Sequence, residues 1–144
     1  GFFNGATIID DYAHHPVEIE AVISAAKAIT NGRIIVVHQP HRFSRLRSLF
    51  KDFKKCFRGA DIIGLAPVFA AGEHQLDGFD SKTLIKSFTK KETQKVEYIE
   101  DEVSFSKFLK TNCNRGDIFL TLGAGSITNW VNNLSFLSDE NGHE

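Results

Sequence analysis

The sequence predicts an α/β fold with a doubly wound, mostly parallel sheet of about five or six strands and helices on both faces. Short runs of β-branched and apolar residues alternate with segments whose apolar residues recur at helical spacing. The strand runs are continuously apolar, as in IIVV and IFLTL, which is typical of strands covered on both sides. Alternating strands and helices imply right-handed crossovers and parallel pairing, so the predicted architecture is Rossmann-like.

Strands are predicted where the apolar runs occur. They are Thr7–Asp10, Arg33–Gln39, Asp61–Ala66, Val96–Ile99 and Ile118–Leu122.

Helices are predicted from apolar residues that share one helix face. In order, these stripes are Ile19, Val22, Ile23 and Ala26; Leu46, Leu49, Phe50, Phe53 and Phe57; Leu84, Ile85 and Phe88; Val103, Phe108 and Leu109; and Ile127, Trp130, Val131 and Leu134. Gly59 ends the second helix, and the last helix begins after Ser126, a good N-cap residue. Pro16 suits the first position of the first helix, with His15 near its N-terminus.

Length and composition narrow the possible partners. The 144 residues suffice for one domain, which we place at residues 1–135, followed by a frayed tail at residues 136–144. A formal net charge of −1 argues against nucleic acid or an anionic membrane as a partner. No apolar run approaches the ~20 residues of a membrane span.

Cys56 and Cys113 lie far apart, which favours reduced thiols in a cytosolic protein. Because the sequence has no methionine, we expect one domain of a longer protein.

The chemistry-bearing residues concentrate where the predicted strands end. Parallel sheets bind ligands outside the carboxyl ends of their strands. The segments that leave those ends are DDYAHHP, QPHRFSR, APVFAAGEHQLDGFD, EDE and LGAGS. Five of the six histidines and all three prolines fall on or beside these segments. The return loops TNGR, RGAD and KKETQK are bland by comparison, so we expect a functional site at the carboxyl edge.

A magnesium site of the phosphoacceptor receiver type is disfavoured. Asp10 and Asp11 could begin such a site at the end of the first strand. Receiver domains also require an aspartate after the third strand and a lysine after the fifth. Those places hold Ala66-Pro67 and Leu122-Gly123.

Other ligand sites also lack required residues. The histidines that could bind a metal are His14, His15, His38, His41 and His74. Their spacing matches no known metal pattern, and neither cysteine joins them. GAGSIT lacks the third glycine of a dinucleotide loop, which favours a tight strand-to-helix turn. No glycine is followed by lysine, so a triphosphate-binding loop is absent from the sequence.

QPHRFSR predicts an anion site. His41, Arg42 and Arg45 cluster with Arg47 at the start of a helix, where cations oppose the positive end of the helix dipole. A carboxylate or phosphate would repair that mismatch by meeting the arginines and free backbone N–H groups. The alternative is a solvated basic face. It suits the later residues Lys51, Lys54, Lys55 and Arg58, which lie opposite the apolar stripe.

Four motifs in order resemble one family. DDYAHHP, QPHRFSR, VFAAGE and LGAGSI are similar to those of the C-terminal domain of the Mur ligases, and the resemblance runs from about Gly5 to Trp130. Within that family they are most similar to the ligases that join L-alanine to UDP-N-acetylmuramate. The tripeptide-recycling ligase shares a His-His-Pro but lacks QPHRFSR, and it remains an alternative. A non-catalytic module that binds a small anion or a nucleotide is the second alternative.

The resemblance implies a bacterial, cytoplasmic, ADP-forming amide-bond ligase of peptidoglycan precursor synthesis. Such ligases have an N-terminal UDP-sugar domain and a central ATP-binding domain, both absent from this chain. ATP and Mg²⁺ would serve the full-length enzyme, with none tightly bound by this domain alone. The missing domains would hold UDP-N-acetylmuramate, and the central one would contact this chain. The fragment alone is then expected to be inactive.

The resemblance also implies roles for individual residues. Asp11 would meet the ribose or adjoining groups of ATP, and Tyr12 would pack against the adenine. Four residues would surround the carboxylate of L-alanine and the developing tetrahedral charge as catalytic and substrate-binding groups: His14, His41, Arg42 and Arg45. Glu73 would join the L-alanine site from the loop Pro67–Asp80, which is long enough to act as a lid. No metal ligand is implied.

Overall fold

The computed structural model describes residues 1–88 and 94–139. The strands are β1 (Phe2–Phe3), β2 (Ala6–Asp11), β3 (Ile34–His38), β4 (Ile62–Leu65), β5 (Lys95–Tyr98) and β6 (Ile118–Leu122). The helices are α1 (Pro16–Ile29), α2 (Phe43–Ser48), α3 (Phe50–Phe53), α4 (Ser81–Ser87), α5 (Glu102–Asn112) and α6 (Ile127–Asn132). The sheet order is β1-β2-β6-β3-β4-β5, and only the β1–β2 pair is antiparallel among the described residues. The predicted mostly parallel α/β fold is confirmed.

The two faces of the sheet carry separate cores. Along β3, Ile34 and Val36 pack into one core with residues of α1 to α4, while Ile35 and Val37 face the other with residues of α5 and α6. Every residue of β3 and of β6 is buried. Helices therefore cover both faces, as the continuous apolar runs predict.

The first strand, β1, is not among the strands predicted from the apolar runs. Asn4 and Gly5 join β1 to β2 with φ values of 52° and 80°, the backbone that a two-residue hairpin turn requires. The signal was the dipeptide Asn-Gly, because a two-residue strand is too short to show an alternating pattern.

The second predicted helix is two short helices. The chain leaves helical geometry at Leu49, which has φ −114° and ψ 19°. The Ser48 hydroxyl donates to the Ser44 carbonyl at 2.9 Å, which competes with regular helical bonding near the break. α3 ends at Phe53, and turns follow as far as Gly59. A Cβ at Gly59 would lie 2.7 Å from Ile23 Cγ2, so glycine permits close packing on α1.

Two further expectations differ from the structure. The sequence predicts Val103 on the apolar stripe of α5, but Val103 is 79% exposed, and the buried residues of the helix are Phe105, Phe108 and Leu109. In the predicted frayed tail, Ser138 exchanges backbone hydrogen bonds with Phe2 at 2.7 and 2.9 Å. Residues 140–144 of that tail, and residues 90–93 of the return loop KKETQK, lie outside the described residues. Within the described part of the chain, no helix is long and apolar enough to cross a membrane.

Candidate functional site

Asp11 and Tyr12 lie where β2 leaves the sheet. Asp11 is the last residue of β2, and its Oδ1 accepts the N–H of Ala13 at 2.8 Å. This bond fixes the turn, and a carboxylate with two oxygens retains capacity for further donors. The Tyr12 side chain is 70% exposed, so its ring is available for a flat partner.

His15 lies at the N-terminus of α1, as the sequence predicts, and the structure shows that it is the N-cap residue. Its ring accepts the N–H of Val17 at 3.2 Å, while the Glu18 carboxylate accepts the N–H of His15 at 3.0 Å. Pro16 occupies the first helical position. The backbone N–H groups of His15 and His14 lower the pKa of Glu18, which keeps this cap ionised.

His14 faces the neighbouring exit segment. Its Nδ1 lies 3.0 Å from the Tyr12 carbonyl, and its ring centre lies 6.3 Å from that of His41. β2 and β3, the strands that precede these histidines, are separated in the sheet by β6. The structure therefore brings His14 and His41 close together across the end of β6.

Gln39 ties three strand ends together. This buried amide donates to the Pro67 carbonyl at 3.2 Å and to the Ser126 hydroxyl at 3.0 Å, and it accepts the N–H of Ile127 at 3.0 Å. Ser126 is the N-cap residue of α6, but its side chain makes no capping hydrogen bond, which corrects the predicted cap. Gln39 supplies that cap, because its Oε1 reaches the first N–H of the helix.

The GAG turn after β6 is built for close packing. A Cβ at Gly125 would lie 2.6 Å from Phe69 Cγ and 2.7 Å from Gln39 Oε1. Only glycine fits at that approach. This agrees with the predicted tight turn rather than a dinucleotide-binding loop.

His41 lies against Phe69 from the next exit segment. The two rings stack at 5.4 Å with an interplanar angle of 18°, and the residues form an isolated parallel bridge. The His41 Nδ1 is buried without a hydrogen-bond partner among the described residues. Burial, followed by the charges of Arg45 and Arg42, lowers the pKa of His41. The lowered pKa favours the neutral form of the His41 ring over the cation.

Arg42 has a strained backbone at the head of α2. Its φ of 68° and ψ of 136° lie in a region that residues other than glycine rarely adopt. Such strain costs about 1–3 kcal/mol and persists only where neighbouring contacts hold it. The Arg42 N–H donates to the Phe69 carbonyl at 2.7 Å, and the Phe69 N–H donates to the Pro40 carbonyl at 2.8 Å. Strain of this kind is common at functional sites.

The start of α2 meets an internal carboxylate. Glu73 Oε1 accepts the N–H of Ser44 at 3.1 Å, and Oε2 accepts the Ser44 hydroxyl at 2.6 Å. These bonds, with a smaller contribution from the charge of Arg42, lower the pKa of Glu73. The Ser44 N–H, one of the helix N–H groups predicted to bind an anion, is thus already bonded to a carboxylate of the protein.

His38 and His74 are the other histidines of the described residues that the sequence offers as metal ligands. His38 is fully buried, its ring packs on Phe53 and Phe57, and its Nδ1 lies 2.9 Å from the Leu122 carbonyl. His74 is exposed in the loop after β4. Among residues 1–88 and 94–139, no group of three or more His, Cys, Asp or Glu side chains could hold a metal ion.

Three residues that organise this site are not predicted by the sequence. Gln39, Ser44 and Phe69 all lie in quoted motifs, but their roles depend on contacts between segments. The signal for Gln39 and Ser44 was a polar residue beside the basic cluster in QPHRFSR.

Curated proteins similar to this chain include two ligases of the same name. The chain is 48% identical over 131 residues to UDP-N-acetylmuramate–L-alanine ligase of Allorhizobium ampelinum, covering 91% of this chain and 28% of that protein. It is 45% identical over 134 residues to the Paracoccus denitrificans protein of that name, covering 93% of this chain and 28% of that protein. The chain therefore spans about 28% of the length of these curated relatives.

Solved structures share the fold. UDP-N-acetylmuramate-alanine ligase of Thermotoga maritima is 26% identical with a TM-score of 0.63, over 90% of this chain and 26% of that one. A domain of a Haemophilus ducreyi ligase is 20% identical with a TM-score of 0.67, over 93% of this chain and 92% of that one, and it supports the fold alone. The family model "Mur ligase, glutamate ligase domain" matches residues 1–125, so the chain belongs to the Mur ligase family.

Proposed function

We propose that this chain is the domain of an ATP-dependent ligase that presents L-alanine for attachment to UDP-N-acetylmuramate in peptidoglycan precursor synthesis. The observation that carries the proposal is 45–48% identity, over at least 90% of the chain, to proteins named for that reaction. In the proposed reaction, ATP phosphorylates the muramate carboxylate and releases ADP. The amine of L-alanine then attacks the acyl phosphate, and phosphate leaves as the amide forms.

The segment QPHRFSR after β3 (residues 39–45), called the basic segment below, suits the carboxylate of the amino acid. Arg42 is exposed and Arg45 is half-buried, so both can reach a ligand outside the sheet edge. Arginine binds both oxygens of a carboxylate through two parallel N–H groups. His41 and His14 lie beside them, and we assign both to the developing tetrahedral group. Such donors stabilise negative charge most strongly when closure of the site excludes water. Glu73 completes the site through the loop after β4.

The segment after β2 suits the nucleoside of ATP. The Asp11 carboxylate can accept hydrogen bonds from ribose hydroxyls, and the exposed Tyr12 ring can pack on adenine. We assign the phosphates and Mg²⁺ to another part of the full-length enzyme, because this sequence has no phosphate-binding loop. Tight binding of ATP by this domain alone is therefore not expected.

The proposal extends to partners and location. UDP-N-acetylmuramate would be held by the other domains, and the central domain would contact the carboxyl edge of this one. Nucleotide-activated substrates place the reaction in the bacterial cytoplasm. No role for nucleic acid or a membrane is proposed.

Assays on the full-length enzyme test the proposal. The enzyme is mixed with Mg²⁺, ATP and UDP-N-acetylmuramate, and either L-alanine or the peptidoglycan tripeptide is added. Phosphate release and the mass of the product are measured. We expect product with L-alanine only, and none from the isolated 144-residue chain. Product with the tripeptide alone would favour the recycling ligase, and no product with either would favour a binding module.

A further inference from the structure

Ser44 and Glu73 join two of the segments that leave the carboxyl edge. Ser44 is the second residue of α2, and Glu73 lies in the loop between β4 and α4. One oxygen of Glu73 accepts the backbone N–H of Ser44 at 3.1 Å, and the other accepts its hydroxyl at 2.6 Å. A single residue of the basic segment therefore engages both oxygens of this carboxylate.

The helix that carries the basic segment has no cap of its own. Its N-cap residue is Arg42, whose side chain makes no capping hydrogen bond. The first N–H groups of a helix need partners from outside the helix. Glu73 provides the carboxylate that an N-cap residue usually provides, but from a segment 29 residues away in sequence. The start of α2 thus depends on the loop after β4.

The same loop fixes the basic segment at a second point. Phe69 accepts the N–H of Arg42 at 2.7 Å and stacks on the ring of His41 at 5.4 Å. Phe69 thus anchors the chain before the start of α2, and Glu73 anchors it just inside the helix. The strained backbone of Arg42 lies between these two anchors.

The negative charge of Glu73 strengthens its contact with the start of α2. The hydrogen bonds from Ser44 and the nearby charge of Arg42 lower the pKa of Glu73, so the side chain is an anion at neutral pH. An anion at this place reduces the mutual repulsion of Arg42 and Arg45. It also accepts stronger hydrogen bonds than a neutral side chain would.

We propose that Glu73 is a positioning residue that acts through Ser44, holding the start of α2 so that Arg42 and Arg45 meet the amino-acid carboxylate. This inference rests on the proposed function. The competing interpretation is that Glu73 binds the ammonium group of the amino acid directly. If Glu73 is a positioning residue, Ser44 is required and recognition of the amino-acid carboxylate is affected. If Glu73 binds the ammonium group, Ser44 is not required and recognition of the amine is affected.

The test compares L-alanine with L-alaninamide, which keeps the amine but lacks the carboxylate. We would measure kcat/KM for both with the full-length enzyme and its Ser44→Ala, Glu73→Gln, Ser44→Thr and double Ser44→Ala/Glu73→Gln variants. Ser44→Ala should lower the preference for L-alanine by roughly threefold, because it removes the hydroxyl bond to Glu73, and Glu73→Gln by roughly tenfold, because it removes the negative charge that strengthens both bonds. The double variant should show the same loss of preference as Glu73→Gln alone, because both substitutions act on the same contact between Ser44 and Glu73.

Controls separate positioning from other effects. Ser44→Thr keeps the hydroxyl and should retain the preference, and His74→Ala in the same exposed loop should leave it unchanged. L-alaninamide kcat/KM should be the same in every variant. Normal Ser44→Ala kinetics, with equal losses for both substrates in Glu73→Gln, would assign Glu73 to the ammonium group. If the wild type cannot use L-alanine, the proposed function fails. Normal wild-type activity with an unchanged preference in both single variants contradicts only the positioning role.

Discussion

Replacing Gln39 with alanine should destabilise the fold at the carboxyl edge. The Gln39 amide is only 3% exposed and bonds the Pro67 carbonyl, the Ser126 hydroxyl and the Ile127 N–H at 3.0–3.2 Å. A hydrogen bond contributes about 1 kcal/mol net, and a buried partner left without one costs about 1–3 kcal/mol. Because two backbone groups lose their partner, we expect a loss of about 2–4 kcal/mol in the free energy of unfolding.

Urea and thermal unfolding of the 144-residue chain measure this effect. A loss of that size lowers Tm by roughly 5–15 °C for a domain of this length. The matched control is Gln75→Ala, an exposed glutamine whose change should stay within about 0.5 kcal/mol. A Gln39→Ala chain as stable as the control would refute the claim that this amide ties three strand ends together.

Three further results are expected. First, Arg42→Gly should be more stable than Arg42→Ala by about 1 kcal/mol in chemical denaturation, because only glycine tolerates φ 68° without strain; equal stability would argue against strain at this residue. Second, burial lowers the pKa of His38 from 6.5 to about 4, so the unfolded chain binds more protons between those pH values. Stability should fall by about 2 kcal/mol from pH 7 to pH 5, and His38→Leu should reduce that slope; an identical slope would contradict this. Third, Asp11→Asn should raise the KM for ATP of the full-length enzyme with a near-normal Tm, because asparagine keeps the bond to Ala13; unchanged ATP kinetics would remove Asp11 from the nucleotide site.

The sheet was largely predictable because its strands are encoded locally. Continuous apolar runs mark β3, β4 and β6, whose residues are buried because helices cover both faces of the sheet. The edge strand β5 has the sequence KVEY and shows an alternating pattern instead. The break at Leu49 was not predictable from the same pattern. Apolar spacing through Leu46, Phe50 and Phe53 fits one helix or two, and the sequence alone does not show where backbone geometry changes.

The site was only partly predictable, because its contacts join distant segments. The locations of His14 and His41 follow from the rule that parallel strands end at one edge. The lowered pKa of His41 depends on burial against Phe69, which is distant in sequence. The caps from Gln39 and Glu73 likewise depend on how loops fold over one another.

The central claim is that the basic segment binds the carboxylate of L-alanine. Its most direct test is kcat/KM for L-alanine in the full-length enzyme, compared between Arg45→Ala and Lys51→Ala, where Lys51 is an exposed cation of the following helix. Loss of a charge-assisted contact at Arg45 should cost about 1.5–3 kcal/mol, or roughly 10- to 150-fold in kcat/KM, while Lys51→Ala stays near the wild type. Equal kcat/KM in the two variants would contradict the claim and leave the segment as a solvated basic face.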